Sequence, residues 1–330
     1  GLLAVVWATA TIGGPILGGV LAHAWSWRIA AGALAPVAIL FMIMALIVLP
    51  ARGDGTAAKG WPLLRMILLT GGSLALCIAS DAKSQTQAIV MMAIALLALA
   101  LGFVLDRQAR SPLFPSRILS PRPASSLGLW IIGLMPLAEA GVFLFIPYVA
   151  QVFMGMSVMH AGQISSLTAI GWSFSAMIVA RASAPTATRL IMIGPVLLTA
   201  GMLLMAWAVE HGQPVVMAIS LLSCGIAFGI SNGFLCQRTI AASDNLERDV
   251  TSGAIPTFEG LGAAIGAALA GIIAAGAGFP LTDNSASPIA LTLLIGGILT
   301  IPAIFAALRF ARQTADADAA EPVAPPPIVS

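Results

Sequence analysis

The chain has 330 residues, of which 59% are hydrophobic and only 8% are charged, and its formal net charge is +2. A soluble domain carries roughly 25% charged residues, so this composition excludes a water-soluble globular protein and predicts a surface that faces lipid. The three cysteines form no close motif, and we interpret them as small buried apolar side chains rather than as disulfide partners or metal ligands.

Apolar runs of about 20 residues, the length that crosses a bilayer core of roughly 30 Å, recur along the whole chain. The predicted spans are 1–22, 28–49, 63–80, 87–105, 126–151, 161–180, 190–209, 214–237, 253–276 and 288–308. Short polar segments connect them. The sequence therefore predicts an all-α polytopic membrane protein with ten transmembrane helices.

The basic residues are distributed unevenly between the two sides that this topology creates. Thirteen of the 15 Lys and Arg residues fall on the side that holds both ends of the chain, and only Arg28 and Lys83 fall on the other. Positive charge marks cytoplasmic loops, so we expect both ends to be cytoplasmic, in a bacterial-type inner (cytoplasmic) membrane. The three histidines are scattered on the outer side, which argues against a metal site.

The first run contains an unusual cluster of glycines, "TIGGPILGG" from Thr11 to Gly19. Gly14 and Gly18 lie about one helical turn apart, which allows a neighbouring helix to approach closely. Pro15 removes one backbone donor and bends the helix. A packing face is one interpretation. The stretch lacks the GxxxxGK[ST] form of a phosphate loop, so no nucleotide is expected.

The spacing of these glycines also matches a known motif. Gly1, Ala10, Gly14-Pro15 and Gly18-Gly19 resemble the antiporter motif of the major facilitator superfamily, which lies in the fifth helix of its drug exporters. Ala10 stands where that motif has glycine.

Three further segments resemble that family in the same order. "AWSWR", which ends at Arg28, resembles the outer turn of the fourteen-span drug:proton antiporters. "RSPLFPSRIL" (Arg110 to Leu119) resembles their basic loop before the C-terminal half, and "TSGAIPTFEGLGAAIGAAL" (Thr251 to Leu269) resembles their penultimate helix.

The resemblance implies a domain organisation. Because the antiporter helix is fifth in fourteen-span members and first of ten here, it implies a fragment that lacks the first four helices. The implied parts are the last two helices of an N-terminal bundle (1–49), a cytoplasmic linker (50–62), an inserted helix pair (63–105), a cytoplasmic loop (106–125), a complete six-helix C-terminal bundle (126–308) and a disordered cytoplasmic tail (309–330).

Small residues at helical spacing predict packing seams between the later helices. They are Gly225, Gly229 and Gly233 in one span, Gly262, Gly266 and Ala270 in another, and Gly296 and Thr300 in the last.

Four side chains within the spans are candidates for the substrate or proton pathway. Glu139 is near the middle of its span, too deep to reach either interface, so its carboxyl is expected to face a central cavity or to bond a neighbouring helix in its protonated form. Trp172 is also deep, and either an aromatic wall for ligands or core packing fits. Asn232 needs a polar partner or water. Glu259 is expected near the cytoplasmic side, within reach of water or of Arg248.

The resemblance implies a secondary active transporter, not an enzyme, that exports small amphipathic compounds in exchange for protons by alternating access. Its partners would be the substrate, protons and the lipid bilayer, with no cofactor, metal, nucleotide or nucleic acid, and it would be a monomer. A transporter of narrower specificity on the same fold and a chain inactive by itself are the alternatives. A membrane-embedded transferase is disfavoured because the outer loops are short.

Overall fold

The computed structural model describes residues 24–48, 63–80, 84–109, 112–120, 122–280 and 285–320, together with the isolated positions 13, 14, 17, 21 and 82. Within these ranges the chain forms α-helices joined by short loops. They are α1 (Trp27–Gly32), α2 (Leu34–Val48), α3 (Leu63–Ser80), α4 (Gln85–Arg107), α5 (Ala124–Val152), α6 (Val158–Ser165), α7 (Leu167–Val179), α8 (Ala184–Glu210), α9 (Pro214–Ala241), α10 (Arg248–Gly276), α11 (Ser287–Leu299) and α12 (Ile301–Ala320). A 3-10 turn, Asn245–Glu247, precedes α10.

Six helical segments of the described chain are long and apolar enough to cross a membrane. They are α4, α5, α8, α9, α10 with its 3-10 turn, and α11 joined to the first part of α12. Helices α2 and α3 are apolar but shorter. The predicted all-helical membrane architecture is thus supported, but the number of ten spans is not. The first predicted span lies almost entirely outside the described residues.

Some predicted spans contain a break in the helix. Pro36 and Pro302 each lack the N–H that would bond four residues back, and the preceding helices end at Gly32 and Leu299. The third break, between α6 and α7, has no proline. There the Ser166 hydroxyl donates to the carbonyl of Gln163 at 2.7 Å, a local bond of the kind that bends helices.

Most of the predicted glycine seams are confirmed. A methyl group on Gly262 or Gly266 of α10 would overlap the backbone of α5 at Gly133 or Leu137. In the same way, Gly225 and Gly229 of α9 lie against the backbone of α7, and Gly296 of α11 lies against Ala138 of α5. The prediction is wrong for Gly233, whose side facing away from the helix meets no described atom within 4 Å.

The hairpin of α3 and α4 packs against the C-terminal bundle. Leu76 and Ala79 of α3 form a buried cluster with Met92, Ala95 and Leu99 of α4 and with Ala268 of α10. This contact is consistent with the prediction that 63–105 is a helix pair of its own, although the whole domain division stays a prediction.

The expected disordered tail is wrong in its first part. Helix α12 continues through Ala320, because the alanine-rich segment favours a helix and its first turns pack into the bundle. Gln313 donates to the carbonyl of Arg122 at 3.0 Å, and Thr314 accepts from Arg238 at 3.2 Å. The residues after Ala320, like the predicted linker 50–62, lie outside the described ranges.

A buried carboxylate holds the loop between α4 and α5. Asp106 is 1% exposed, pairs with Arg65 of α3, and accepts from the backbone N–H groups of Leu113 and Phe114 at 2.8 and 2.9 Å. Farther along, the N–H of Ser116 donates to Glu247 at 3.1 Å. The end of α4 and the starts of α3, α5 and α10 are therefore on the same side of the bundle, which we call the loop side.

Candidate functional site

The structure brings two of the predicted polar residues together. The Nδ2 amide of Asn232 on α9 donates a hydrogen bond of 3.2 Å to Oε1 of Glu259 on α10. Both side chains are half-buried, so part of the surface of each is accessible from outside the bundle.

This pair lies well inside its two helices, and the expected position of Glu259 near the cytoplasmic side stays a prediction. Helix α10 begins at Arg248 rather than at residue 253, so Glu259 is eleven residues from its start, about 16 Å along the axis. Glu259 is therefore near the middle of the 29-residue helix α10. Its hydrogen-bond partner in the described structure is Asn232.

Two glycines leave space beside the pair. Gly233 follows Asn232 and Gly260 follows Glu259, and a methyl group on either glycine would meet no described atom within 4 Å. Both glycines are exposed. A small ligand could therefore approach the carboxylate and the amide along this face of α9 and α10.

An aromatic pair lies one turn along α9. The rings of Trp172 on α7 and Phe228 on α9 stack with centroids 5.1 Å apart and planes inclined by 19°. Phe228, Asn232 and Cys236 are four residues apart, which places them on one side of the helix, and the Cys236 thiol lies 3.7 Å from the Asn232 carbonyl oxygen. Trp172 is 36% exposed. We call Trp172, Phe228, Asn232 and Glu259 the polar–aromatic face.

Glu139 lies elsewhere, inside the bundle. It is 2% exposed, and its Oε1 has no hydrogen-bond partner among the described residues. It is near the middle of the 29-residue helix α5. Gly128, eleven residues earlier, lies on nearly the same side of α5 and packs against Thr239 of α9. The Glu139 carboxyl is therefore directed toward α9, and its burial distinguishes it from the half-buried Glu259.

The predicted antiporter-motif positions are mostly outside the described residues. Gly1, Pro15, Gly18 and Gly19 are among these, and a methyl group on Gly14 would meet no described atom within 4 Å. Their packing role stays a prediction. Arg28, predicted at an outer turn, is exposed near the start of α1.

Two polar anchors on the loop side were missed by sequence reasoning. Asp106 is one, and Arg238 is the other, since its guanidinium donates to Thr188 at 2.6 Å and to the carbonyl of Ala184 at 2.9 Å. Each is a charged residue at the end of an apolar helix, which is the sequence feature that could have indicated an anchor. A charged side chain at that position is usually solvated, however. Across the described ranges, no three His, Cys, Asp or Glu side chains are grouped so that they could hold a metal ion.

Comparisons with known proteins agree on one family. The family profile described as "Major Facilitator Superfamily" matches residues 1–267. Proteins named "Probable multidrug-efflux transporter" from two strains of Mycobacterium tuberculosis are 26% identical to the chain over 290 residues, which is 82% of this chain and 60% of the relative. The "Puromycin resistance protein" of Streptomyces alboniger is 24% identical over 326 residues, 92% of this chain and 64% of the relative. The chain thus spans about 60% of the length of the first of these relatives.

Proposed function

Since the chain belongs to the Major Facilitator Superfamily, whose members are membrane transporters, we propose that it exports small amphipathic compounds in exchange for protons. The names of the similar proteins, multidrug-efflux transporter and puromycin resistance protein, support this substrate class. The chain matches only 60% and 64% of the lengths of these relatives. The transport activity of a whole protein is therefore part of the proposal.

The polar–aromatic face is the observation that carries the proposal. A half-buried carboxylate near mid-membrane can hold either a proton or the positive charge of a substrate. The Asn232 amide, which donates to Glu259 at 3.2 Å, stabilises the ionised carboxylate. The partly exposed ring of Trp172, which is held by stacking on the buried ring of Phe228, offers an apolar surface for the uncharged part of the substrate and can also attract a cation.

Exchange follows from competition for a single carboxylate. When a proton binds Glu259, the negative charge that attracts a cationic substrate is removed, so the substrate is released. When the proton leaves, the site can take a substrate again. Coupling requires that the two events occur on opposite sides of the membrane, as in alternating access.

Glu139 would act as a second proton carrier. An ionised carboxylate in its buried position, with one oxygen unpartnered in the described structure, would be unfavourable. In this arrangement we infer a protonated Glu139, which gives up its proton only when helix movement admits water. Because Glu139 is buried and Glu259 is half-buried, Glu139 would affect proton coupling more than substrate binding.

The orientation belongs to the same proposal. Arg65, Arg107, Arg117, Arg122 and Arg238 lie on the loop side or at helix ends directed to it, so the positive-inside rule makes this side cytoplasmic. We also propose that the chain has ten spans, is a monomer and lies in a bacterial-type inner membrane.

Cysteine labelling from outside tests this orientation. In a background without the three native cysteines, Ser285→Cys should react with an impermeant maleimide added outside, and Arg117→Cys should react only after the membrane is opened. Labelling of Arg117→Cys in sealed cells would refute the orientation.

Reconstitution tests the transport proposal. The chain is placed in proteoliposomes that contain a pH-sensitive dye, and puromycin is added outside. We expect puromycin uptake to drive proton movement, and we expect Glu259→Gln to abolish that movement because glutamine cannot titrate. Asp244→Asn, which removes an exposed charge from the loop side, is the matched control. Equal proton movement in Glu259→Gln and in the unmodified chain would contradict the proposal, and puromycin uptake without proton movement would contradict proton coupling.

A further inference from the structure

A cavity lies on the loop side, and none of its lining residues belongs to the polar–aromatic face. Its volume is about 530 Å³, and α3, residues 112–114 and the first turns of α10 line it. Ligand sites in proteins have volumes of ≈ 300–1,000 Å³, so a drug-sized molecule would fit.

The cavity results from the way α3 and α10 pack. Both helices start on the loop side, and they are in contact farther along, where Leu76 joins the cluster that includes Ala268. Toward their starts the chain at Leu113 and Phe114 lies between them, and the backbone bonds of these two residues to Asp106 hold it there. The cavity is therefore a fixed feature of the fold, because the segment between the two helices is held in place by these hydrogen bonds.

The lining changes from charged to apolar with depth. Asp249, Gly253 and Thr257 line one side at four-residue intervals, so they share a face of α10 over about 12 Å. Asp249 is exposed at the start of the helix. Leu69 and the ring of Phe114 provide apolar surface, and the Phe114 ring centroid lies 4.5 Å from that of Phe103.

The charge of the lining indicates which ligand fits. Asp249 is the acidic member of the lining, and no basic side chain of the described chain is among the lining residues. Arg65, the nearest basic residue before the lining residue Met66, is paired with Asp106. An ammonium group would find a complementary carboxylate at the mouth, with apolar and aromatic surface for the rest of the molecule.

The geometry points to a second binding site, for amphipathic cations that enter between α3 and α10 from the leaflet on the loop side. This inference rests on the proposed export function for the origin of the ligand, since these would be substrates taken up before they reach the polar–aromatic face. Binding at the cavity can nevertheless be measured without transport.

Photolabelling of the full chain in nanodiscs tests the site directly. The probe is benzoylbenzyl-trimethylammonium, an amphipathic cation whose benzophenone attaches to nearby C–H bonds on illumination, and the labelled peptides are identified by mass spectrometry. The controls are neutral methylbenzophenone and anionic benzoylbenzoate, which carry the same photoreactive group. We expect the cation to label the peptides that contain 66–70, 112–114 and 249–257 about fivefold more than the anion does, the factor that a single exposed charge pair can supply.

Two variants test separately the contribution of the Asp249 charge and that of the cavity volume to labelling. Asp249→Asn should reduce cation labelling of these peptides to the level of the neutral probe. Gly253→Leu should block labelling by all three probes, because a side chain there enters space that holds no described atom within 4 Å. Gly71→Leu is the matched control, since Gly71 on α3 also has open space but does not line the cavity. The thermal stability of each variant shows that it is folded.

The outcomes distinguish this site from the proposed function. Equal labelling by the cation, the neutral probe and the anion would overturn the inference and would indicate a lipid-filled groove without charge preference. Unchanged labelling in Gly253→Leu would also overturn it. Cation-selective labelling that is lost in Gly253→Leu supports the site even if the transport assay with Glu259→Gln fails, and that failure would count against the proposed function alone.

Discussion

The amide of Asn232 and the carboxylate of Glu259 join α9 to α10 by a hydrogen bond of 3.2 Å well inside both helices. Polar groups at this depth have few alternative partners, because lipid offers none. The open space at the neighbouring Gly233 and Gly260 leaves the pair accessible from one side. This combination of a formed bond and an accessible face distinguishes the pair from Glu139.

Removal of the Asn232 amide should weaken substrate binding without unfolding the bundle. In Asn232→Leu, the Glu259 carboxylate loses the only donor that the described structure gives it, an effect of about 1–2 kcal/mol or roughly 5–30-fold in affinity. Puromycin binding to the purified chain, measured by isothermal titration calorimetry, is the readout. Gln237→Leu, on an exposed position of the same helix, is the control.

Asn232→Gln provides the complementary test, because it keeps an amide and should recover part of the lost affinity. If Asn232→Leu binds puromycin as tightly as the unmodified chain does, the amide has no part in the site.

The seam between α5 and α10 predicts opposite effects for two glycines of one helix. Gly262→Ala should lower thermal stability by about 1–3 kcal/mol, because the new methyl group would overlap the carbonyl of Gly133. Gly260→Ala should be neutral or slightly stabilising, since it adds a methyl group into open space and alanine favours a helix over glycine. Thermal unfolding followed by tryptophan fluorescence measures both. Equal melting temperatures for the two variants would show that the seam is not close-packed.

The Asp106 anchor should be important for stability. Asp106→Asn removes the charge that pairs with Arg65 and weakens the bonds from Leu113 and Phe114. The loss of one partner of a buried pair typically costs about 3–5 kcal/mol. We expect a lower melting temperature and faster proteolysis between 112 and 120 than in Asp244→Asn, which removes an exposed charge from the same side. Unchanged proteolysis of this loop would show that Asp106 does not hold it.

Much of this architecture could be predicted from the sequence because the lipid environment leaves few choices. Apolar runs such as 63–80 and 214–237 must form helices to satisfy their backbone, and α3 and α9 begin at the predicted residues. Glycine seams could be predicted for the same reason, since close helix packing in a membrane depends on small residues. Gly233 shows the limit of that inference, because the spacing alone cannot distinguish a packed face from an open one.

The pairing within the candidate site could not be predicted. Asn232 and Glu259 were each noticed for being polar in an apolar span, but their contact depends on the relative rotation and axial position of two helices. Helix α10 begins at Arg248, five residues before the predicted span 253–276, because a helix can continue beyond the apolar run into the polar segment "RDV".

Glu139 should carry a proton that is needed for coupling. The buried carboxyl is directed toward α9, and a helix movement that hydrates it would allow its proton to leave. Glu139→Gln keeps the size of the side chain but cannot release a proton. We therefore expect proton movement per puromycin transported to fall by at least about tenfold, the lower range of what a lost proton-transfer group costs, while puromycin binding is retained.

Glu139→Asp and Glu210→Gln make this test specific. Glu139→Asp keeps a titratable group and should retain part of the coupling. Glu210→Gln removes a carboxylate at the end of α8 that accepts from Ser287 at 2.8 Å, away from mid-membrane, and should leave the coupling unchanged. The melting temperature of Glu139→Gln checks that the buried amide does not unfold the bundle. If a folded Glu139→Gln variant couples puromycin to protons as the unmodified chain does, Glu139 is a permanently protonated structural residue, and its proposed role is wrong.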